Sequence, residues 1–120
     1  MYRFALCVVL VAVFGSASAQ DAIIKKTNGV FTNGAGMTVY TFDKDSGGKS
    51  ACNGGCATNW PPLTAAATAK PVGDLTVISR DDGSKQWAYK GKPLYLWSKD
   101  QKPGDKTGDN VNNAWHVVSD

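Results

Sequence analysis

The sequence predicts a mostly β fold: a compact antiparallel β domain built from two pseudo-repeats of about 55 residues. Three observations support this fold class. Residues 36–45 recur in related form at 91–100, with a constant offset of 55. All ten acidic residues are Asp and none is Glu, and the chain has 13 Gly, a composition that favours tight turns over helices. Asn-Gly and Asp-Gly pairs separate runs rich in strand-forming residues.

Residues 1–19 are predicted to be a cleaved secretory signal peptide and not part of the fold. Arg3 precedes an apolar run too short to span a bilayer, and Ala17-Ser18-Ala19 has the small-x-small pattern of a cleavage site. Cys7 lies inside the apolar run, away from the position of a lipid acceptor, and is expected to be removed with the signal. Residues 20–120 then form one domain, which we expect to be periplasmic or secreted.

Within this domain the first repeat covers about 29–63 and the second about 74–118. Turn signals at 33–36 and 81–84 predict a hairpin in each repeat. The predicted strands are 22–26, 30–32, 37–42, 74–79, 86–89, 93–97 and 115–118. The Ala-rich segment between Pro61 and Pro71 is expected to form at most a short helical turn, because prolines flank it.

The repeated segment carries a Tyr, a second aromatic residue and an Asp at fixed spacing. The positions are Tyr40, Phe42 and Asp45 in the first copy and Tyr95, Trp97 and Asp100 in the second. Because strand side chains alternate between faces, the two aromatic residues of each copy are expected to share one face. The Asp that ends each copy is interpreted as structural, accepting hydrogen bonds from backbone amides and fixing a turn.

On these residues the chain resembles the bacterial secreted or lipoprotein repeat family marked by Tyr-x-aromatic-x-x-Asp. Further similar segments are 52–57, 60–63, 86–95, 103–105 and 115–117. The resemblance spans roughly residues 29–118 and implies an exported protein, in a family whose function is not established. Many members of that family look like lipoproteins, whereas this signal lacks a lipid-acceptor cysteine.

Cys52 and Cys56 are expected to form a disulfide, because an exported protein meets an oxidising space and Asn53-Gly54-Gly55 between them is flexible. A loop this short stabilises the fold by roughly 2 kcal/mol at most. The alternative interpretation is a redox couple or a soft-metal site. Redox pairs usually have Cys-x-x-Cys spacing, and haem attachment needs a His at the position that Ala57 occupies.

We predict no cofactor and no resident metal. His116 is the single histidine, and catalytic metal sites gather several strong donors. An oxygen-rich loop over 100–113 could hold calcium weakly, although such loops are commonly solvated turns. The weak candidates for a metal ligand are Asp105, Asp109 and His116.

Seven Trp and Tyr residues remain after signal removal. They are Tyr40, Trp60, Trp87, Tyr89, Tyr95, Trp97 and Trp115. We expect them mainly to fill the core, since a short chain needs aromatic bulk. If two or three of them face solvent, they would form a platform for a sugar ring, a planar ligand or a partner protein.

Without Arg3 the 13 basic residues become 12, against 10 acidic ones, a balance too even to suggest nucleic acid or an anionic membrane as partner. No catalytic set is evident, so we do not expect an enzyme, and hydrolysis by paired Asp residues ranks last. The leading hypothesis is an exported, non-enzymatic binding or envelope-associated module. It would be a monomer without a membrane span, with an unknown envelope or extracellular ligand. The alternative is a periplasmic redox or metal-handling accessory protein that uses Cys52, Cys56 and His116.

Overall fold

The structure is a computed structural model that describes residues 19–119. The predicted signal peptide, 1–19, lies outside the described residues except for Ala19 and stays a prediction. The strands are β1 Ile24–Thr27, β2 Val30–Asn33, β3 Tyr40–Phe42, β4 Thr64–Ala65, β5 Leu75–Ser79, β6 Lys85–Tyr89, β7 Lys92–Pro93 and β8 Trp115–Val117. One short helix, α1, covers Gly55–Asn59, and 3₁₀ turns cover Gln20–Ala22 and Val111–Asn113.

The strands form three antiparallel groups, which confirms the predicted fold class. β1 pairs with β2, and β3 pairs with β8. β6 is the centre of the third group, with β4 and β5 on its two sides and β7 paired near its end. The register places Tyr40 opposite Val117 and Val77 opposite Trp87.

The predicted hairpin of the second repeat forms as expected. Its turn is closed by the amide of Arg80, which donates to the Ser84 carbonyl at 2.8 Å. Gly83 adopts a φ of +89°, which a glycine reaches without steric cost. The Asp82 side chain accepts from the Ser84 amide at 2.9 Å, a local bond that stabilises the turn.

The predicted hairpin of the first repeat is only partly right. Its turn forms, with the amide of Asn33 donating to the Met37 carbonyl at 2.9 Å. The predicted strand 37–42 is wrong in extent, because β3 begins at Tyr40. At that point the chain leaves β2, whose other edge pairs with β1, and continues beside β8.

Two further expectations are only partly right. The strand predicted at 93–97 is regular only at Lys92–Pro93, because the backbone of Tyr95 bonds to Tyr40 instead of continuing along β6. The segment between Pro61 and Pro71 has one hydrogen-bonded turn, from the Ala69 amide to the Ala66 carbonyl at 3.0 Å, and also contains β4, which pairs with Lys85 and Gln86 of β6. That pairing satisfies backbone groups that a proline-flanked helix would leave unpaired.

The buried side chains form two clusters. The first lies mainly among β1, β2, β5 and β6, and consists of Ile24, Phe31, Val39, Leu75, Trp87, Tyr89, Leu94 and Val118. The second consists of Tyr40, Cys52, Trp60, Tyr95 and Trp115. The second cluster joins the two repeats, since three of its members precede residue 64 and two follow residue 76.

The two repeats are related by a pseudo-twofold axis. The amide of Tyr40 donates to the Tyr95 carbonyl at 2.8 Å, and the amide of Tyr95 donates to the Tyr40 carbonyl at 2.9 Å. Farther from the axis, the amide of Asp43 donates to the Ala114 carbonyl at 2.8 Å. The equivalent bond in the other repeat runs from the amide of Ser98 to the Asn59 carbonyl at 2.9 Å, since Ser98 corresponds to Asp43 and Asn59 to Ala114 at the offset of 55. The repeats therefore pair their motifs with each other.

Candidate functional site

The tyrosine of the first motif bonds to the aspartate of the second. The Tyr40 hydroxyl donates to Asp100 Oδ2 at 2.7 Å and accepts from the amide of Gly108 at 3.1 Å. Asp100 Oδ1 accepts from the amide and the hydroxyl of Thr107, at 3.0 and 2.6 Å. Asp100 therefore fixes its own turn, as predicted, and also connects the two repeats.

The reciprocal pair joins Tyr95 to Asp45. The Tyr95 hydroxyl donates to Asp45 Oδ2 at 2.7 Å and lies 2.6 Å from the Ser50 hydroxyl. Asp45 Oδ1 accepts from the Ala51 amide at 2.6 Å. Both tyrosines are fully buried, so the two motifs place them in equivalent environments.

Burial raises the pKa of Tyr40 above its ordinary value, and the hydrogen bond to Asp100 raises it further. Burial raises the pKa of Tyr95 as well, opposed by the bond with Ser50 and supported by the bond to Asp45. The pKa of Asp45 is also raised by burial, although its bonds with Ala51 and Tyr95 oppose the rise. Both phenols are therefore neutral donors over the physiological pH range.

Four aromatic rings form one continuous stack across the pseudo-twofold axis. Its order is Phe42, Trp115, Trp60 and Trp97, with centroid distances of 4.0, 3.8 and 3.9 Å. Trp60 and Trp115 are related by the repeat offset and lie parallel, at 1°. Each repeat contributes one central and one terminal ring, so the stack is shared equally between them.

The rings of the two motif tyrosines stand nearly perpendicular to this stack. Tyr40 contacts Trp60 at 5.3 Å and 80°, and Tyr95 contacts Trp115 at 5.1 Å and 88°. Such T-shaped contacts are favourable beyond the area they bury. Six aromatic side chains thus form one rigid unit at the junction of the repeats, mainly filling the core as predicted.

A buried arginine supports the first motif from outside the repeat pattern. Arg80 is 6 % exposed, and its guanidinium donates to Gln86 Oε1 at 2.7 Å and to Ser50 Oγ at 3.1 Å. It also donates to the carbonyl of Cys52. Through Ser50 the arginine is connected to the Tyr95 hydroxyl, so its charge lies near the Asp45 carboxylate that Tyr95 binds.

The disulfide between Cys52 and Cys56 is present, as predicted. Cys52 is fully buried against the aromatic cluster, whereas Cys56 is partly exposed. The bridge spans the start of α1, whose last amide bond runs from Trp60 to the Cys56 carbonyl at 2.8 Å. The disulfide therefore fixes the turn from which Trp60 enters the stack.

A groove of about 340 Å³ opens beside the stack. Phe42, Trp60 and Trp115 form its aromatic wall, and Lys44, Asn59 and Asn112 are its polar lining residues. Cys56 and Ala114 complete the lining. Because Trp60 and Trp115 are repeat equivalents, the groove lies at the pseudo-twofold axis, where the two repeats meet.

The polar side chains of the groove have no partner among the residues that the structure describes. Within residues 19–119, the side chains of Lys44, Asn59 and Asn112 form no hydrogen bond or ion pair. The indole N–H groups of Trp60 and Trp115 likewise have no acceptor in this part of the chain, although the two side chains are only 4 % and 3 % exposed. Asn112 has a φ of +53°, in the left-handed region that asparagine tolerates better than most residues.

The remaining predicted site residues lie elsewhere. Trp87 packs in the first core cluster, away from the stack. The weak metal candidates have separate partners: His116 Nε2 lies 2.8 Å from Asp43, Asp105 binds Lys102 at 3.0 Å, and Asp109 accepts from the Val117 amide. In the described part of the chain, no three His, Cys, Asp or Glu residues are grouped as a metal site. The redox or metal-handling alternative stays a prediction.

Several site residues were not found by sequence reasoning. Arg80 has no counterpart at the repeat offset, where Lys25 stands, so the pattern gave no signal for it. Lys44 belongs to the repeated segment and Asn112 to the oxygen-rich loop over 100–113, but neither was predicted to line a site, and no sequence pattern indicated Asn59. Trp60 recurs as Trp115 at the repeat offset of 55, and this recurrence is the sequence feature that indicated the groove.

No helix in the described range 19–119 has the length and apolar character needed to cross a membrane.

Comparison with known proteins identifies one family. A sequence model described as a secreted repeat of unknown function matches residues 22–64 and again residues 76–119. No curated protein and no solved structure matches the chain. Each match contains one copy of the Tyr-x-aromatic-x-x-Asp motif, and together the matches cover more than half of the sequence. The chain therefore belongs to this family of secreted repeats of unknown function and carries two copies of the repeat.

Proposed function

We propose that the protein is an exported, monomeric, non-enzymatic binding module, acting in the periplasm or outside the cell. Its binding site is the groove beside the aromatic stack. The observation that carries this proposal is the combination of a rigid aromatic wall with unpaired polar side chains in one concave surface. Small-molecule sites commonly combine a mainly apolar wall with a few converging polar groups.

The rigidity of the wall supports a binding role. Trp60 and Trp115 are held on both faces by other rings, and α1 is fixed by the disulfide. A site held in place by packing loses little conformational entropy when a ligand binds. The groove therefore resembles a preformed recognition surface.

The chemistry of the lining supports a non-enzymatic role. Lys44 is the one titratable side chain among the groove residues, since Cys56 is oxidised in the disulfide. The two Tyr–Asp pairs are directed at each other across the repeats, and their bonds are already formed. General acid–base catalysis needs a proton donor or acceptor within reach of the substrate.

The test is calorimetric titration of the mature protein with oligosaccharides and peptidoglycan fragments of the cell envelope. Tryptophan fluorescence is a second readout, because two groove residues are indoles. We expect at least one of these probes to bind with a change in fluorescence. Asn112→Gly removes a groove side chain without backbone strain and should weaken binding. Asn28→Gly is the matched control, because Asn28 is also exposed and left-handed, at φ +51°, but lies outside the groove.

Absence of heat and of fluorescence change across the whole set would contradict the proposal. Binding that Asn112→Gly and Asn28→Gly weaken equally would also contradict it, since the ligand would then occupy another surface.

A further inference from the structure

The faces of the two central indoles are closed to a ligand. Trp115 lies between Phe42 and Trp60, and Trp60 lies between Trp115 and Trp97, with all centroid distances at 4.0 Å or less. A ligand in the groove therefore meets the edges of Trp60 and Trp115. Ring edges carry the positive part of the aromatic quadrupole, so they favour electron-rich atoms.

The hydrogen-bonding groups of the groove add to this preference. Over residues 19–119 the indole N–H groups of Trp60 and Trp115 have no acceptor, and buried N–H groups of this kind usually have one. An indole N–H can only donate. The amides of Asn59 and Asn112 both donate and accept, as the hydroxyl groups of a sugar require.

The charge of the groove has one sign. Lys44 is the charged residue of its lining, and it forms no ion pair with any residue from 19 to 119. Carboxylates line other surface pockets: Asp43 and Asp45 in one, and Asp100 in another. Asp43, the neighbour of Lys44 in sequence, is held by His116 at 2.8 Å. The electrostatics of this groove therefore differ from those of the pockets that contain acids.

We propose that the groove binds an acidic sugar, a unit of one or two rings that carries a carboxylate or a phosphate. The anionic group pairs with Lys44, and the hydroxyl groups bond to Asn59, Asn112 and the indole N–H groups. This inference rests on the proposed function and adds the class of ligand. The volume of about 340 Å³ fits a ligand of this size, and the covered faces of Trp60 and Trp115 leave only their edges for contact.

The experiment is calorimetric titration of the mature protein with four probes: a digalacturonate, glucose 6-phosphate, a neutral galactose disaccharide and inorganic phosphate. We expect one of the two acidic sugars to bind at least about ten times more tightly than the neutral disaccharide, at low salt. Which of the two binds distinguishes a carboxylate from a phosphate. Added salt should weaken binding, because Lys44 is exposed and its charge is screened.

Variants at two lysines related by the repeat complete the test. Lys44→Ala should weaken binding of the acidic sugar about fivefold, and Lys44→Arg should restore most of it. Lys99→Ala is the matched control, because Lys99 occupies the equivalent position and does not line the groove. It should leave binding unchanged.

Three outcomes would overturn the acidic-sugar inference. The neutral disaccharide could bind as tightly as the acidic sugars, inorganic phosphate could match glucose 6-phosphate, or none of the four probes could bind. In each case the proposed function is decided separately, by the envelope probes and the Asn112→Gly variant.

Discussion

The Tyr40 hydroxyl donates to Asp100 at 2.7 Å, and the two residues lie 60 positions apart in different repeats. Tyr95 makes the reciprocal bond to Asp45, also at 2.7 Å. Neither repeat therefore completes its own Tyr–Asp pair. The motif that marks the family is, in this chain, the means by which one repeat binds the other.

The aromatic stack should contribute to stability in proportion to burial. Trp60→Ala and Trp115→Ala remove side chains that have rings on both faces and should each lower the free energy of unfolding by about 3–5 kcal/mol. Trp97→Ala, at the partly exposed end of the stack, should cost less than about 2 kcal/mol, because a removed surface group leaves no closed cavity. Urea denaturation measures all three. Equal losses at Trp97 and Trp60 would contradict this description of the stack.

The pH dependence of stability should have opposite signs at two aspartates. Burial raises the folded-state pKa of Asp45, so its contribution is fully present below the ordinary value of 3.8 and is lost as the pH rises through the folded-state pKa. Bonds from the Gln101 amide and Lys102 lower the pKa of Asp105, so its contribution is present above 3.8 and is lost as the pH falls.

Denaturation at about pH 3 and about pH 7 separates the two effects. The stability of the wild type relative to Asp45→Asn should be larger at the acid pH. Relative to Asp105→Asn it should be larger at the neutral pH. A pH dependence of the same sign for both variants would show that one of the two environments is described wrongly.

The two motif tyrosines should resist ionisation in the folded protein. Burial and the carboxylate bonds raise the pKa of Tyr40 and Tyr95 above the ordinary value of 10.0. The stability that this provides is present below that value and is lost as the pH rises further. Phenolate absorbance of these two residues should therefore appear together with the loss of the circular dichroism signal. At pH values below this unfolding transition, a Tyr40→Phe, Tyr95→Phe double variant should show the same phenolate absorbance as the wild type. A clearly lower absorbance in that range would mean that Tyr40 or Tyr95 ionises in the folded protein, which would contradict the prediction.

The disulfide should be a local restraint. It closes a loop of about five residues, which corresponds to roughly 2 kcal/mol at most in the loop-entropy treatment. Reduction with a phosphine should lower the free energy of unfolding by no more than this and leave the protein folded. Circular dichroism and denaturation before and after reduction measure the effect. Complete unfolding on reduction would mean that the bridge holds the domain together.

The parts of the fold that local sequence determines could be predicted. The hairpin around Asp82 and Gly83 is set by turn chemistry, and its strands were placed to within one residue. The equivalence of Tyr40 and Tyr95 followed from the repeat itself. In contrast, the pairing of β4 and the early end of β7 depend on which distant segment offers free backbone groups. The local sequence does not determine that pairing.

The candidate site was less predictable than the fold. Sequence spacing identified the Tyr and Asp residues but did not reveal which aspartate each tyrosine binds, because a bond within one repeat fits the motif equally well. Arg80 and Gln86 are buried polar residues whose partners come from the tertiary fold. Asn59 ends α1 and Asn112 lies in the 3₁₀ turn Val111–Asn113, and only the packing of Trp60 on Trp115 brings them to one groove.

The central claim is that each motif tyrosine binds the aspartate of the other repeat, and a pair of double-mutant cycles tests it most directly. The first combines Tyr40→Phe with Asp100→Asn, and the second combines Tyr40→Phe with Asp45→Asn. Bonding between the repeats predicts a coupling energy of about 1 kcal/mol or more in the first cycle and close to zero in the second. Coupling between Tyr40 and Asp45, with none between Tyr40 and Asp100, would contradict it.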